Sequence, residues 1–191
     1  AQTVSVIGIV GFAGSGKSEA AAVARDLDVP VVTMGDVIRA ACRERGVDPA
    51  THHGEVAKTL RAENGPAAIA ERSLPMIADA LQKSDTVLVD GIRSDVEVDA
   101  FEDEFGDDFL LVAVDAPFEL RADRLDLRGR DASEDEGGES LADRDERELN
   151  FGMGRAIDRA EVTIENTGRL ETFHDTVRSL LTEGPAAVEG Q

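Results

Sequence analysis

The chain has no tryptophan, no tyrosine, one cysteine and three lysines among 191 residues. The single cysteine, Cys42, cannot close an internal disulfide and supplies no metal site. Within RAACRER it reads as a helix position. No apolar run approaches the roughly eighteen residues of a membrane span, and the N-terminus lacks the basic-then-apolar layout of an export signal. The expected setting is the cytoplasm, without a membrane partner. Basic residues are scarce as a class: 20 Lys and Arg face 40 Asp and Glu, for a formal net charge of −20. Such a surface repels phosphate backbones, so nucleic acid is a disfavoured partner. An acidic, lysine-poor and aromatic-poor exterior matches work in concentrated salt, where the Debye length falls to about 3 Å at 1 M and self-repulsion is screened. The composition points to a halophilic protein.

What is present is enough apolar material for one core, 41% of the residues, and a length that favours a single domain. Short β-type runs at 4–10, 29–34, 86–90 and 109–115, and a weaker one at 161–165, alternate with helical stretches. That alternation is the pattern of a parallel sheet covered on both faces by right-handed crossovers. The expected fold is α/β, three layers around a five-stranded parallel sheet. Helices are predicted at 17–27, 36–45, 54–63, 67–83, 95–105, 117–128 and 170–182, with Pro75 kinking or splitting the fourth. Residues 129–150 are nearly free of apolar side chains and rich in acids. They read either as a solvated acidic loop with a short charged helix or as a mobile lid. The domain is expected over 1–182, with 183–191 a frayed tail.

Directly after the first β-run stands Gly11-Phe12-Ala13-Gly14-Ser15-Gly16-Lys17-Ser18, which fits G-x-x-x-x-G-K-[ST] at every fixed position. A chain with 18 Gly and three Lys would produce this string by chance about three times in a thousand, so it marks a phosphate-binding loop. Between a strand and a helix, successive backbone N–H groups wrap a phosphate and the helix N-terminus adds about half a positive charge. Glycines leave room for that approach. Lys17 is expected to bridge the β- and γ-phosphates and Ser18 to ligate Mg²⁺. No N-K-x-D string occurs to read guanine, so ATP is the expected triphosphate. Without Trp or Tyr, its base must rest on aliphatic, Phe or Arg surfaces.

In an open parallel sheet, ligands gather at the carboxyl ends of the strands. The second run ends TMGDVIR, which places Asp36 and Arg39 about one helical turn apart on one face. Asp36 reads either as an N-terminal helix charge or as a substrate contact. The third run ends VLVDGIRSD, where Asp90 follows apolar residues in the manner of a Walker B carboxylate that serves Mg²⁺, with Arg93 beyond a Gly turn. Asp115 ends the fourth run and reads equally as a cap. An anion cradle beside strand-end arginines that can fork onto a second anion is the layout of a small-molecule phosphotransferase. Further cations from a flexible element would cover the γ-phosphate. RADRLDLRGRD offers Arg121, Arg124 and Arg128 on one helix face, then Arg130; each otherwise pairs with a neighbouring Asp. Arg144, Arg147 and Arg155 lie in a stretch that either reaches the donor phosphates or forms a charged helix and a Gly-rich turn. His52 and His53 read as loop neighbours whose side chains point apart.

These motifs resemble the nucleoside-monophosphate-kinase group of P-loop proteins, and most closely dephospho-CoA kinase and an archaeal family related to it. GDVIR looks like the monophosphate-kinase GD-x-x-R segment, VLVDGIR is similar to DG-x-x-R, and RLDLRGR looks like the start of the lid. AEVTIENTGRLETF resembles the closing strand-loop-helix of dephospho-CoA kinases, whose loop lies beside the adenine. The resemblance implies a P-loop NTPase fold, Asn166 and Gly168 near the base, and Arg39 and Arg93 near the acceptor phosphate. It also implies Asp36 as general base toward an acceptor hydroxyl, and Arg128 and Arg130 as lid cations.

The expected activity is ATP- and Mg²⁺-dependent transfer of the γ-phosphate to a nucleotide-like small molecule, a nucleoside monophosphate or dephospho-CoA. The alternative is a nucleotide-gated assembly or regulatory factor that hydrolyses ATP slowly and uses the lid segment to touch a protein or RNA partner.

Overall fold

The computed structural model describes residues 5–127 and 140–183. Its strands are β1 (Ser5–Val10), β2 (Val31–Thr33), β3 (Thr86–Asp90), β4 (Phe109–Asp115) and β5 (Val162–Glu165). They form one parallel sheet in the order β2-β3-β1-β4-β5, as the alternation of runs implies. Among the described residues the helices are α1 (Lys17–Asp26), α2 (Met34–Glu44), α3 (Pro49–Asn64), α4 (Ala68–Leu81), α5 (Asp95–Phe105), α6 (Phe118–Leu127), α7 (Leu141–Phe151), α8 (Met153–Asp158) and α9 (Leu170–Glu183). A 3-10 turn at Gly106–Asp108 leads into β4.

Alternate residues of a strand face opposite sides of the sheet, and β1 divides its apolar residues accordingly. Val6 and Val10 join a core with Met34, Leu60, Ile69, Ile77, Phe101 and Met153, from the helices of one face. Ile7 and Ile9 join the other, with Ala20, Val23, Phe173 and Val177 from α1 and α9. Gly8 has no side chain because a Cβ there would sit 2.7 Å from Ile92 Cδ1 and 2.8 Å from the Phe109 ring. Phe109 in turn stacks on Phe101 with centroids 5.6 Å apart. Chain connections leave β1 toward β2 and β3 on one side and β4 and β5 on the other. The loop after β1 therefore lies at the switch point of the sheet, where a crevice opens.

Caps move two boundaries from expectation. The second strand stops at Thr33, because the Thr33 hydroxyl accepts the Asp36 N–H at 3.1 Å and caps α2 there. The third helix begins at Pro49, not at residue 54. Asp48 accepts the Ala50 N–H at 2.9 Å, and Pro49 occupies the first turn, where its missing N–H costs nothing. His52 and His53 therefore stand on a helix and not on a loop. Pro75 lies inside one continuous α4 and does not split it. In the acidic segment, Ser140 caps α7 by accepting the Asp143 N–H at 3.2 Å, so residues 141–150 of the expected lid are helical. Residues 129–139, Arg128 and Arg130, and the tail from 184 lie outside the described residues.

Candidate functional site

The loop between β1 and α1 turns on Gly14 (φ +81°) and Gly16 (φ +124°). Both conformations strain any residue with a Cβ. Closeness behind the loop adds to the demand for glycine. A Cβ on Gly11 would lie 2.6 Å from the Val114 carbonyl, one on Gly14 2.9 Å from the Arg121 carbonyl, and one on Gly16 against Asn166 Nδ2 and the Phe173 ring. The glycines thus let the loop seat against β4, α6 and α9. No side chain caps α1 at Gly16, which leaves the first-turn amides for an anion. The Ser15 hydroxyl is buried without a partner.

Side chains from later in the chain brace this loop. Arg121, 6% exposed, donates through Nε to the Ala116 carbonyl (3.0 Å) and through Nη1 to the Ala13 carbonyl (3.3 Å). Its two Nη groups also fork onto both oxygens of Asp145 at 2.9 and 2.8 Å. Its guanidinium stands 5.2 Å from the Phe12 ring centroid. Arg124 donates to the carbonyls of Gly14 (3.1 Å) and Asn166 (2.5 Å). Both arginines, expected to cover a γ-phosphate or to pair with an adjacent Asp, hold backbone carbonyls of the loop, and the Asp that Arg121 takes is 24 residues away. Asn166 is buried and donates through Nδ2 to the Ser15 carbonyl at 2.8 Å. Gly168 is exposed, with open space where a Cβ would be.

Lys17 opens α1. Desolvation pulls its ammonium below the ordinary value, and the carboxylates of Asp90 and Glu148 pull the other way, with Arg93 and Arg144 adding to the depression. Asp90 ends β3 and accepts the Gly91 N–H on Oδ1 at 2.8 Å. Arg93 follows on an exposed turn, held by its N–H to Glu97 Oε1 at 2.9 Å. Glu97 is fully buried; burial pushes its carboxyl up, opposed by that N–H and by Arg61.

Beside the loop opens a cavity of about 510 Å³ between α2, α3, the β3–α5 turn and α7. Its polar wall is His53, Arg61, Arg93, Arg147 and Glu148; Gly35, Ala57 and Phe151 supply much of the rest. Arg61 lies over the Phe151 ring, 4.6 Å from its centroid, with a buried Nε that has no hydrogen-bond partner. Burial lowers the His53 pKa, and Arg39 and Arg93 lower it further. Asp36 and Arg39, both half-exposed, form an ion pair within the first turns of α2 and are not on the cavity wall. Burial pushes the Asp36 carboxyl up, but hydrogen bonds from Arg39 and Thr33 outweigh it and hold it below the usual carboxylate value. Arg61 and Glu148 are the wall residues that motif reading passed over as candidate ligands, and Arg147, read either toward the donor phosphates or as part of a charged helix, stands on this wall. Small residues at 50, 54 and 57 with His53 and Arg61 on one helix were the available signal on α3.

Sheet order, loop and crevice together define a P-loop kinase-like domain. A family model described as an AAA domain matches residues 10–142. The chain belongs to the archaeal UPF0200 family. A UPF0200 protein of Halobacterium salinarum is 60% identical over 176 residues, covering 92% of each chain. One from Methanosarcina mazei is 44% identical over 180 residues, covering 93% of this chain and 94% of the relative. The acidic composition fits a relative from a Halobacterium. Among solved structures, the fold is similar to shikimate kinase from Acinetobacter baumannii in complex with shikimate, with TM-score 0.58, 17% identity and 95% of each chain covered. It is also similar to a gluconokinase from Sinorhizobium meliloti, with TM-score 0.56, 18% identity, and 97% and 95% covered. At these identities the likeness is one of fold. Among the described residues, no helix is long and apolar enough to cross a membrane.

Proposed function

We propose that this protein is an ATP- and Mg²⁺-dependent phosphotransferase that moves the γ-phosphoryl group to a nucleotide-like small-molecule acceptor. The observation that carries the reading is a shared set of charges. Arg93 and Glu148 line the cavity, and the same two groups act on the ammonium of Lys17. The cavity therefore adjoins the lysine of the phosphate loop.

In this reading the amides of Gly11 to Ser18 hold the triphosphate, and Lys17 meets the β- and γ-phosphates. The fit to a triphosphate rests on the uncapped start of α1 and the positive-φ glycines. Mg²⁺ would be held by the Ser18 hydroxyl and Asp90. Among the described residues no group of three or more His, Cys, Asp or Glu is placed to hold a metal alone. A site with few protein donors suits Mg²⁺, which keeps waters and takes substrate phosphates as ligands. The ion would supply charge neutralisation on the phosphate oxygens. Arg61, Arg93 and Arg147 give the cavity its anion-binding side, in keeping with a phosphate- or carboxylate-bearing acceptor. By the resemblance, Asn166 and Gly168 would lie beside the base, and Arg128 and Arg130 would serve as lid cations. The solved structures of similar fold include a shikimate kinase in complex with shikimate and a gluconokinase, small-molecule kinases in line with this class.

Incubation with labelled ATP, Mg²⁺ and a panel of AMP, CMP, UMP, GMP and dephospho-CoA should yield a labelled organic product. Lys17→Ala should lower transfer by about 1,000-fold. Label that appears only as inorganic phosphate, with every acceptor, refutes the kinase reading and favours a slow ATPase that serves a macromolecular partner.

A further inference from the structure

One face of α7 carries Asp145, Glu148 and Phe151 at successive spacings of three, so the three side chains run along the helix as neighbours. Both ends of that face are tied down. Asp145 is forked by Arg121, which also holds the Ala13 carbonyl of the phosphate loop. Phe151 lies beneath Arg61. Glu148, between them, is fixed against the cavity and close enough to Lys17 to act on its charge.

Glu148 is only 6% exposed. Its Oε1 accepts from Arg144 Nε at a long 3.4 Å, and its Oε2 is buried with no partner. A buried carboxylate oxygen without a hydrogen bond is costly to keep. An acceptor phosphate placed there would meet a like charge. A hydroxyl placed there would complete the missing hydrogen bond. The opposite sign lies beyond Glu148 in the direction of Phe151, three residues or about 4.5 Å of helix rise further on, where Arg61 of α3 stands over the Phe151 ring.

We propose that Glu148 is a catalytic residue that receives the proton of an acceptor hydroxyl, so that the substrate is an alcohol bearing a separate anionic group seated at Arg61. This rests on the phosphotransferase reading above and narrows its acceptor. The acceptor oxygen bonds to the γ-phosphorus while the bond from that phosphorus to the β,γ-bridging oxygen breaks. ADP leaves with the bridging oxygen. The hydroxyl proton passes to Glu148 Oε2 and from there to solvent.

The test uses the full chain with ATP, Mg²⁺ and a panel of dephospho-CoA, ribose 5-phosphate, glycerate and the four nucleoside monophosphates. ³¹P NMR distinguishes a new phosphate ester from a new anhydride by the absence of phosphorus–phosphorus coupling. Transfer to water, the smallest hydroxyl, is followed in parallel as ADP formation. The expected product is an ester. Glu148→Gln, which keeps an oxygen for Arg144, should lower transfer to the alcohol and to water by about 100-fold, with ATP affinity by calorimetry and melting temperature little changed. Asp36→Asn should cost much less. An anhydride product, or transfer that Glu148→Gln leaves intact, overturns this assignment while the kinase reading stands. So does a Glu148→Gln loss accounted for by ATP affinity or by melting temperature. No organic product at all overturns both.

Discussion

The two halves of the crevice are built on opposite terms. On the side of the phosphate loop three polar side chains that brace it are engaged by protein: Arg121 by Ala13, Ala116 and Asp145, Arg124 by Gly14 and Asn166, Asn166 by Ser15. On the cavity side Arg61 Nε and Glu148 Oε2 are buried without partners, as is Oε2 of Glu97, which holds the Arg93 N–H behind the wall, against Ser15 Oγ alone in the loop. The contrast teaches a division of labour. In the proposed reading a triphosphate would be gripped largely by backbone, so its site can be preformed and rigid. An acceptor would be gripped by side chains, two of which, Arg61 and Glu148, carry unpaired buried polar atoms.

The largest test of that contrast is Arg121→Ala. It strips the fork from Asp145, whose carboxylate is only 16% exposed, and frees α7 from the loop. Removing one partner of a buried pair costs about 3–5 kcal/mol. Chemical denaturation should read a loss of that size, and ATP affinity and acceptor turnover should fall together. If stability is unchanged, the donor half is not held by its braces.

Gly16→Ala comes next. At φ +124°, and with Asn166 and Phe173 behind it, a methyl group should cost about 2 kcal/mol or more. Gly46→Ala is the control, also at positive φ (+73°) but with open space around its Cβ, and should cost less. Equal losses would mean that backbone strain alone, and not seating against α9, demands glycine in the loop. On the acceptor side, Arg61→Ala should raise the acceptor KM by about 30-fold, or ~2 kcal/mol, and leave ATP affinity alone. A parallel loss of ATP affinity would show that the halves are not separable.

The same contrast governs what could be read in advance. The eight consecutive residues of the phosphate loop have local chemistry, and the strand that carries Asp90 and leads to Arg93 announces itself by a continuous apolar run. The acceptor wall draws on residues 35, 53, 61, 93 and 148, brought together only by the sheet order and by the packing of α7. Arg121 illustrates the limit. Its helical spacing invited pairing with an adjacent Asp, yet burial beside Phe12 and the fork to Asp145 decided its role. Asp36 and Arg39 illustrate it again, since the spacing that places both near a substrate also lets them neutralise each other. Asp48 and Pro49 carried a start signal for α3 that the His-His-Gly run after them obscured.

The smallest expected effect concerns His53, on the acceptor wall. Burial, Arg39, Arg93 and Arg61 depress its pKa, with a hydrogen bond to the Gly35 backbone opposing them. The folded ring therefore binds a proton less readily than the unfolded one, whose pKa is near 6.5. Its contribution to stability is complete above that value and is lost as the pH falls through the depressed folded pKa. Glu97, with a raised pKa, has the reverse sign, stabilising below the ordinary Glu value and less so as pH rises. The two partly cancel in the native chain, so the measurement is a difference between proteins. His53→Gln cannot take up the proton, and its melting temperature should fall less steeply than that of the native chain between pH 6.5 and 5. Identical pH profiles would mean that Arg39 and Arg93 do not project their charge onto this wall, and the acceptor side would lose the electrostatic character that sets it apart from the donor side.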